Sequence, residues 1–196
     1  MVQEYYEKYT EELNEALKGL DKAEIQKLWE KMEEIRLSGG KIFVLGNGGS
    51  AAAASHWICD FSKGINTDSS RRLKIYSLAD NLSVATALGN DFSYDEIFSE
   101  QLKNVLTKED LVISLSVSGS SSNLVNAHLY AKEKGAFTAA IIGDYHGKLE
   151  QVSDLVITVP SRNYGIVEDI HMTIDHVVSQ YMRICNEKKE AEGGHK

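Results

Sequence analysis

Along the first forty positions the apolar residues fall at helical spacing. Leu13, Leu17, Leu20, Ile25, Leu28, Met32 and Ile35 recur at threes and fours, with a break near Gly19-Leu20-Asp21. The pattern predicts two N-terminal helices, the second ended by Ser38-Gly39-Gly40, a helix stop signal. Beyond it the period changes. Short apolar runs at 42–45, 74–78, 111–115, 136–142 and 155–159 alternate with amphipathic segments around 50–62, 83–88, 94–106, 123–134 and 147–152, and a last helix covers about 165–186. Apolar strands separated by helices predict an open, doubly wound α/β fold, a five-stranded and mostly parallel sheet covered on both faces. Ligands bind such sheets at the carboxyl ends of the strands, so the loops that follow the strands carry the chemistry.

Charge narrows the partners. The chain has 196 residues, with 21 Lys+Arg against 29 Asp+Glu and a net charge of −8. That length suits one domain, and the acidity argues against a nucleic-acid partner, which needs a positive surface to displace phosphate counterions. Hydrophobic content of 42% with 26% charged residues is the balance of a globular chain rather than a disordered one. A single proline, Pro160, favours long uninterrupted helices. The N-terminus has no basic segment followed by an apolar run, and no stretch is long and apolar enough to span a bilayer, so no membrane partner is expected. Cys59 and Cys185 have neither redox-motif nor zinc-finger spacing, which points to a reducing cytoplasm. Residues 188–196 are polar enough to form a flexible tail.

Two loops are shaped for phosphate. Gly46-Asn47-Gly48-Gly49-Ser50 runs from the first strand into a helix that begins with four alanines. Glycines leave the amides uncovered and the helix N-terminus adds partial positive charge, so an anion is held without a lysine. Gly46, Gly48 and Ala51 also fit a loose dinucleotide fingerprint, but its acidic partner is due about 20 residues on. The candidate, Asp80, comes about thirty residues after the loop. The second loop, Ser116-Val117-Ser118-Gly119-Ser120-Ser121-Ser122-Asn123, puts five serines at a strand-to-helix junction, with hydroxyl and amide donors around one point.

Carboxylates and histidines also recur at helical spacing. His56 and Asp60, four apart, share a helix face and suit a metal ion or an acid–base pair. In the last helix Val167, Ile170, Ile174, Val177, Val178 and Tyr181 form an apolar stripe, and Glu168, Met172 and His176 a separate ridge. His171 and Asp175, again four apart, form a rival metal pair, with His171 at the edge of the stripe and suited to a packed, hydrogen-bonded role.

GNGGSAAAASH together with SVSGSSSN resembles the sugar isomerase (SIS) domain of phosphosugar-binding proteins, and within it the phosphoheptose isomerases. Asn90-Asp91-Phe92 and the last helix add to the likeness, which covers nearly the whole chain. The resemblance implies a flavodoxin-like three-layer domain over 41–187, with the helical pair at 1–40 used in oligomerisation. It further implies interconversion of sedoheptulose 7-phosphate and D-glycero-D-manno-heptose 7-phosphate through an enediolate, in a cytoplasmic homotetramer with active sites between subunits. One Zn2+ per subunit would sit on His56, Asp60, Glu168 and His176, where Asp60 stands for the family's glutamate and Glu168 for its glutamine. Asp60 and His176 would share the acid–base work from opposite sides of the substrate. Ser116, Val117, Ser118 and Ser121 would cradle the phosphate, Val117 replacing a family threonine; Asn47, Gly48, Gly49, Ser50, Asn90, Asp91 and Glu168 would hold the sugar. Gly64 stands where the heptose enzymes carry an arginine. Eight residues separate Glu168 from His176 by roughly 12 Å along a helix, so one ion reaches both only if the first turn is irregular or two subunits contribute. The same resemblance extends to noncatalytic phosphosugar sensors and to adaptors of the replication-initiator-associating type, which form the alternative reading.

Overall fold

The computed structural model describes residues 1–68 and 70–193. Helices α1 (Val2–Gly19) and α2 (Lys22–Ser38) precede a five-stranded sheet of β1 (Lys41–Gly46), β2 (Lys74–Ser77), β3 (Leu111–Ser116), β4 (Phe137–Gly143) and β5 (Leu155–Val159). All pairings are parallel, in the order β2-β1-β3-β4-β5. The connections hold α3 (Gly49–Cys59), α4 (Leu82–Asp91), α5 (Ser99–Val105), α6 (Ser122–Glu133) and α7 (Leu149–Val152), and α8 (Tyr164–Gly193) closes the chain. The final helix thus continues past Asn186 into the stretch read as a tail, and 194–196 lie outside the described residues.

Local chemistry explains the boundaries. Asp21 caps α2 by accepting from the Ala23 amide at 2.8 Å, and Gly39, at φ 86°, ends it with its N–H on the Ile35 carbonyl. The segment expected to be one helix over 94–106 splits into a 3-10 turn, Tyr94–Glu96, and α5. The helix after the first loop ends in a π turn, Asp60–Gly64, a widening often found at functional sites.

Burial follows sheet position. The central strands β1, β3 and β4 are buried almost throughout, whereas the edge strands β2 and β5 alternate. One face packs against α1, α2, α3 and α8 around Trp57, Phe61, Met32 and Ile170; the other packs against α5, α6 and α7 around Phe98, Leu102 and Leu124. On α8 the buried stripe is Ile166, Val167, Ile170, Ile174, Val178 and Met182. Val177 and Tyr181, expected in it, are exposed, because the i, i+4 progression from Ile166 turns the core-facing line away from them. Among the described residues no helix is long and apolar enough to cross a membrane.

Candidate functional site

The strand order reverses between β1 and β3, and the crevice above that switch point is where open α/β sheets bind ligands. Both phosphate-shaped loops meet there, around a cavity of about 370 Å3. Asn47, Gly48, Gly49 and Ser50 line it from the first loop, and Ser116, Val117, Ser118 and Ser121 from the second; Glu168 and Tyr164 of α8 close it. A larger hollow of about 550 Å3 lies at the other end of the sheet, beside Asp110 and Asp154. There the carboxylates are already engaged, Asp110 by Lys41 and Thr107 and Asp154 by Thr138. Burial pushes both carboxyls up, but these hydrogen bonds outweigh it and hold them below the usual range. The crevice is the better candidate because the hydroxyls of Ser116, Ser118 and Ser121 donate to no partner among the described residues.

Backbone geometry prepares the two loops. Gly48 has φ 54° and Gly119 φ 64°, both in the left-handed region that favours glycine. A Cβ on Gly46 would collide with the Ser50 backbone, and one on Gly49 with the Glu168 carboxylate. In the second loop the Ser116 hydroxyl accepts from the Gly119 amide (3.1 Å) and that of Ser118 from the Ser120 amide (3.2 Å). Ser121, at the N-cap of α6, makes no side-chain capping bond, so its hydroxyl is available to the crevice. The loops are fastened by an amide pair: Asn47 Nδ2 donates to Asn123 Oδ1 (2.9 Å) and Asn123 Nδ2 to Asn47 Oδ1 (3.0 Å), while the Tyr94 hydroxyl donates to the same Asn47 oxygen (2.8 Å). Neither Asn123 nor Tyr94 was among the expected site residues. The available signal was the placement of Asn123 in the first turn after a serine-rich junction. Asp80, the dinucleotide candidate, accepts from the Ser55 hydroxyl.

A second constellation sits deeper along α3 and α8. His56, Asp60, Asp175 and His176 bring one ligating atom each within 4.8 Å of one another. His176 Nε2 is 3.3 Å from His56 Nε2 and 3.8 Å from Asp60 Oδ2; His56 Nε2 is 3.7 Å from Asp60 Oδ1 and 3.9 Å from Asp175 Oδ2. Asp175 is fully buried, and both its oxygens lack a hydrogen-bond partner among the described residues. Burial, reinforced by the Asp60 carboxylate, pushes its pKa up to about 8. Two imidazoles and two carboxylates, one of them buried without a partner, are a donor set that fits a divalent cation.

Within the single chain the expected site residues do not all come together. Glu168 is not in this cluster; it lies on the crevice wall against Gly49, because eight residues of regular helix carry it two turns from His176. Asp60 and His176 are neighbours in one cluster, Oδ2 and Nε2 3.8 Å apart. Asn90 and Asp91 stand at the exposed end of α4, bonded to each other (2.9 Å) and away from the cavity wall. The rival pair divides: Asp175 joins the cluster, while buried His171 donates Nε2–H to the Ile141 carbonyl (3.1 Å), its pKa lowered to about 4 by burial.

Comparison with known proteins agrees with the motifs. The SIS domain family matches residues 4–143. A probable phosphoheptose isomerase of Thermoplasma volcanium is 35% identical over 87% of this chain and 86% of its own length, and the phosphoheptose isomerase of Aliarcobacter butzleri 33% over 91% and 89%. The solved structure of the Neisseria gonorrhoeae phosphoheptose isomerase superposes with a TM-score of 0.83 at 26% identity, covering 92% of this chain and 96% of that one. With the serine and glycine loops at the switch point and a histidine–carboxylate cluster on the helices beside them, the chain belongs to the SIS domain family and, within it, to the phosphoheptose isomerases.

Proposed function

We propose that the protein isomerises sedoheptulose 7-phosphate to D-glycero-D-manno-heptose 7-phosphate, with a divalent ion, zinc, on the α3–α8 cluster. The observation that carries this reading is the pairing of a phosphate cradle lined by no Lys or Arg with a histidine–carboxylate cluster farther along α3 and α8, the helices that also border the cradle. His56 lies six residues beyond Ser50 on α3, about 9 Å along the axis. An extended sugar phosphate can bridge that interval, its phosphate on Ser116, Ser118, Ser121 and the α6 amides and its carbonyl end toward the cluster.

The reaction moves one proton between adjacent carbons and one between their oxygens, through an enediolate. Asp60 is partly exposed at 30% of its side chain and His176 at 46%, so both are reachable by substrate, whereas Asp175 is sealed. Asp60 takes the proton from the carbon beside the carbonyl and returns it to the former carbonyl carbon. The His176 imidazole gives a proton to one oxygen and recovers one from the other through the ring nitrogen that does not face the ion, so the balance closes. A bound divalent ion would supply stabilisation of the negative charge that develops on those oxygens.

Assembly as a homotetramer belongs to the same proposal. Helix α4 buries none of its side chains and exposes Leu82 and Val84, with Phe92 exposed beyond it, and α1 exposes Val2, Tyr5 and Tyr6. Apolar faces of this kind support an interface between copies, by which Asn90 and Asp91 of α4 would reach a neighbouring crevice. A cytoplasmic location accords with the unpaired Cys59 and Cys185.

The test is incubation with sedoheptulose 7-phosphate in D2O, followed by NMR. The expected result is deuterium at the exchanging carbon together with the aldoheptose signal. Tight binding of the sugar without exchange would move the protein to the noncatalytic sensors.

A further inference from the structure

We propose that Asp175 is a metal ligand of this protein and takes the place that Glu168 would otherwise fill, which leaves Glu168 to the sugar. The inference rests on the isomerase reading in so far as both use one cation site, but it concerns which side chains of this chain hold the ion.

Geometry makes the first half of the case. A tetrahedral ion with bonds of about 2.0–2.2 Å has its ligating atoms roughly 3.3–3.6 Å apart. The separations among His56, Asp60, Asp175 and His176, from 3.3 to 3.9 Å for the four close pairs, need only small side-chain adjustments to meet this. All four donors come from one chain, so the site is complete without a second subunit. Glu168 would have to cross two helical turns to reach the same point.

Desolvation makes the second half. A carboxylate that is fully buried with neither oxygen hydrogen-bonded is costly, and folds retain such a group where a cation or a proton completes it. The neighbours of Asp175 are the imidazole of His56 at 3.9 Å and the other members of the cluster; no Lys or Arg pairs with it among the described residues. It therefore aims at the one place where three further ligands already converge. His176 follows it directly on α8, and His56 and Asp60 face it from one turn of α3 and the start of the π turn, so rigid elements fix all four. The π turn carries Asp60 while keeping it four residues from His56, on the same side of the helix.

Glu168 has a different setting. It packs on Gly49 at the N-terminus of α3 and forms cavity wall beside Ser50 and Ser118. A carboxylate there accepts from sugar hydroxyls and, by its charge, keeps the phosphate on the serine side of the cavity.

Zinc titration of the metal-stripped full chain against a chromophoric chelator separates the two residues. Asp175→Asn is expected to weaken zinc about a hundredfold and to abolish the zinc-induced rise in melting temperature. Glu168→Gln should bind zinc within threefold of the unsubstituted protein while raising KM for the sugar phosphate. A purely structural role for Asp175 would lower the melting temperature with and without zinc alike and leave the zinc-induced rise in place, which overturns the proposal. Loss of zinc in Glu168→Gln overturns it independently, even if Asp175→Asn does not fold. Asp175→Glu, which keeps the carboxylate, is expected to fold and to hold zinc more weakly than the unsubstituted protein but better than Asp175→Asn. Zinc bound at full strength with Asp175 replaced defeats this assignment and leaves the isomerase reading standing. Failure of the unsubstituted protein to take up zinc or cobalt defeats both the assignment and the metal in that reading.

Discussion

Each face of the sheet carries a buried polar side chain, and the two are treated in opposite ways. On the α6–α7 side, fully buried His128 lies between the Ser114 hydroxyl at Nε2 (2.8 Å) and the Ser153 hydroxyl at Nδ1 (2.9 Å). The Ser153 hydroxyl also donates to the Leu149 carbonyl at 2.7 Å. With that proton directed to the carbonyl, His128 Nδ1–H donates to Ser153 and Nε2 accepts from Ser114, a neutral tautomer assigned from the network. Burial lowers its pKa to about 3. On the α3–α8 side, Asp175 is equally buried and has both oxygens open toward three other ligating groups. Depth in the core is the same; completeness is not. A satisfied buried polar group fastens the scaffold, whereas an unsatisfied one facing convergent donors marks where a ligand completes it.

Exchanging the histidines of the two sites gives the largest expected contrast. His176→Ala should lower turnover about a thousandfold, within the range that acid–base groups contribute, and leave the melting temperature of the metal-stripped protein nearly unchanged because the side chain is half exposed. An active His176→Ala variant ends its assignment to catalysis. His128→Ala should do the reverse, costing about 2–3 kcal/mol by leaving a cavity in the core and the buried Ser114 hydroxyl without its partner, while turnover per folded molecule stays within twofold. Urea denaturation with an activity assay on the same samples checks both, and a parallel loss of activity in His128→Ala would break the division between scaffold and site.

The same histidine sets a pH dependence. Its folded pKa of about 3 lies below the ordinary 6.5, so below pH 6.5 the unfolded chain binds a proton that the folded chain does not. Its contribution is therefore fully present above pH 6.5 and is lost as the pH falls toward 3, by up to about 1.4 kcal/mol per pH unit. Urea midpoints between pH 7 and pH 5 should fall for the native sequence and fall less steeply for His128→Ala. Equal slopes would remove the histidine from the account.

Much of this was legible in the order of residues, for physical reasons. Parallel strands buried on both faces read as unbroken apolar runs, so β1, β3 and β4 stand out, and the helix boundary at Asp21 and stop at Gly39 announce themselves through capping chemistry. The two phosphate loops were legible because two glycine- and serine-rich turns follow strands and open helices in one chain, where either alone would read as an ordinary turn or cap. Asp175 was harder to place. It follows Ile174 and precedes His176, and successive helical residues point about 100° apart, so spacing pairs it with His171 instead. Its depth, set by how α8 packs on α3 and the sheet, assigns it to the cluster. Glu168 went the other way: its likeness to a ligand position is visible in sequence, but the two turns separating it from His176 take effect only once α8 is one regular helix. Asn123 and Tyr94 act on Asn47 across long sequence separations, which no local pattern encodes.

The smallest effect tests the comparison inside a single loop. Ser116 and Ser121 both border the cavity, but the Ser116 hydroxyl oxygen also accepts from the Gly119 amide, whereas the Ser121 hydroxyl has no partner among the described residues. If open donors mark ligand contacts, Ser121→Ala removes one hydrogen bond to the phosphate and nothing from the fold. A hydrogen bond to a charged group contributes about 1.5 kcal/mol at the low end, so KM should rise roughly tenfold with kcat nearly constant and the melting temperature unmoved. Ser116→Ala instead frees the left-handed turn at Gly119, and its loss should register in stability by about 1 kcal/mol as well as in KM. Steady-state kinetics and thermal melts on the two variants decide the matter. A stable Ser116→Ala protein beside a destabilised Ser121→Ala protein would show that hydrogen-bond completeness does not separate scaffold from site in this molecule.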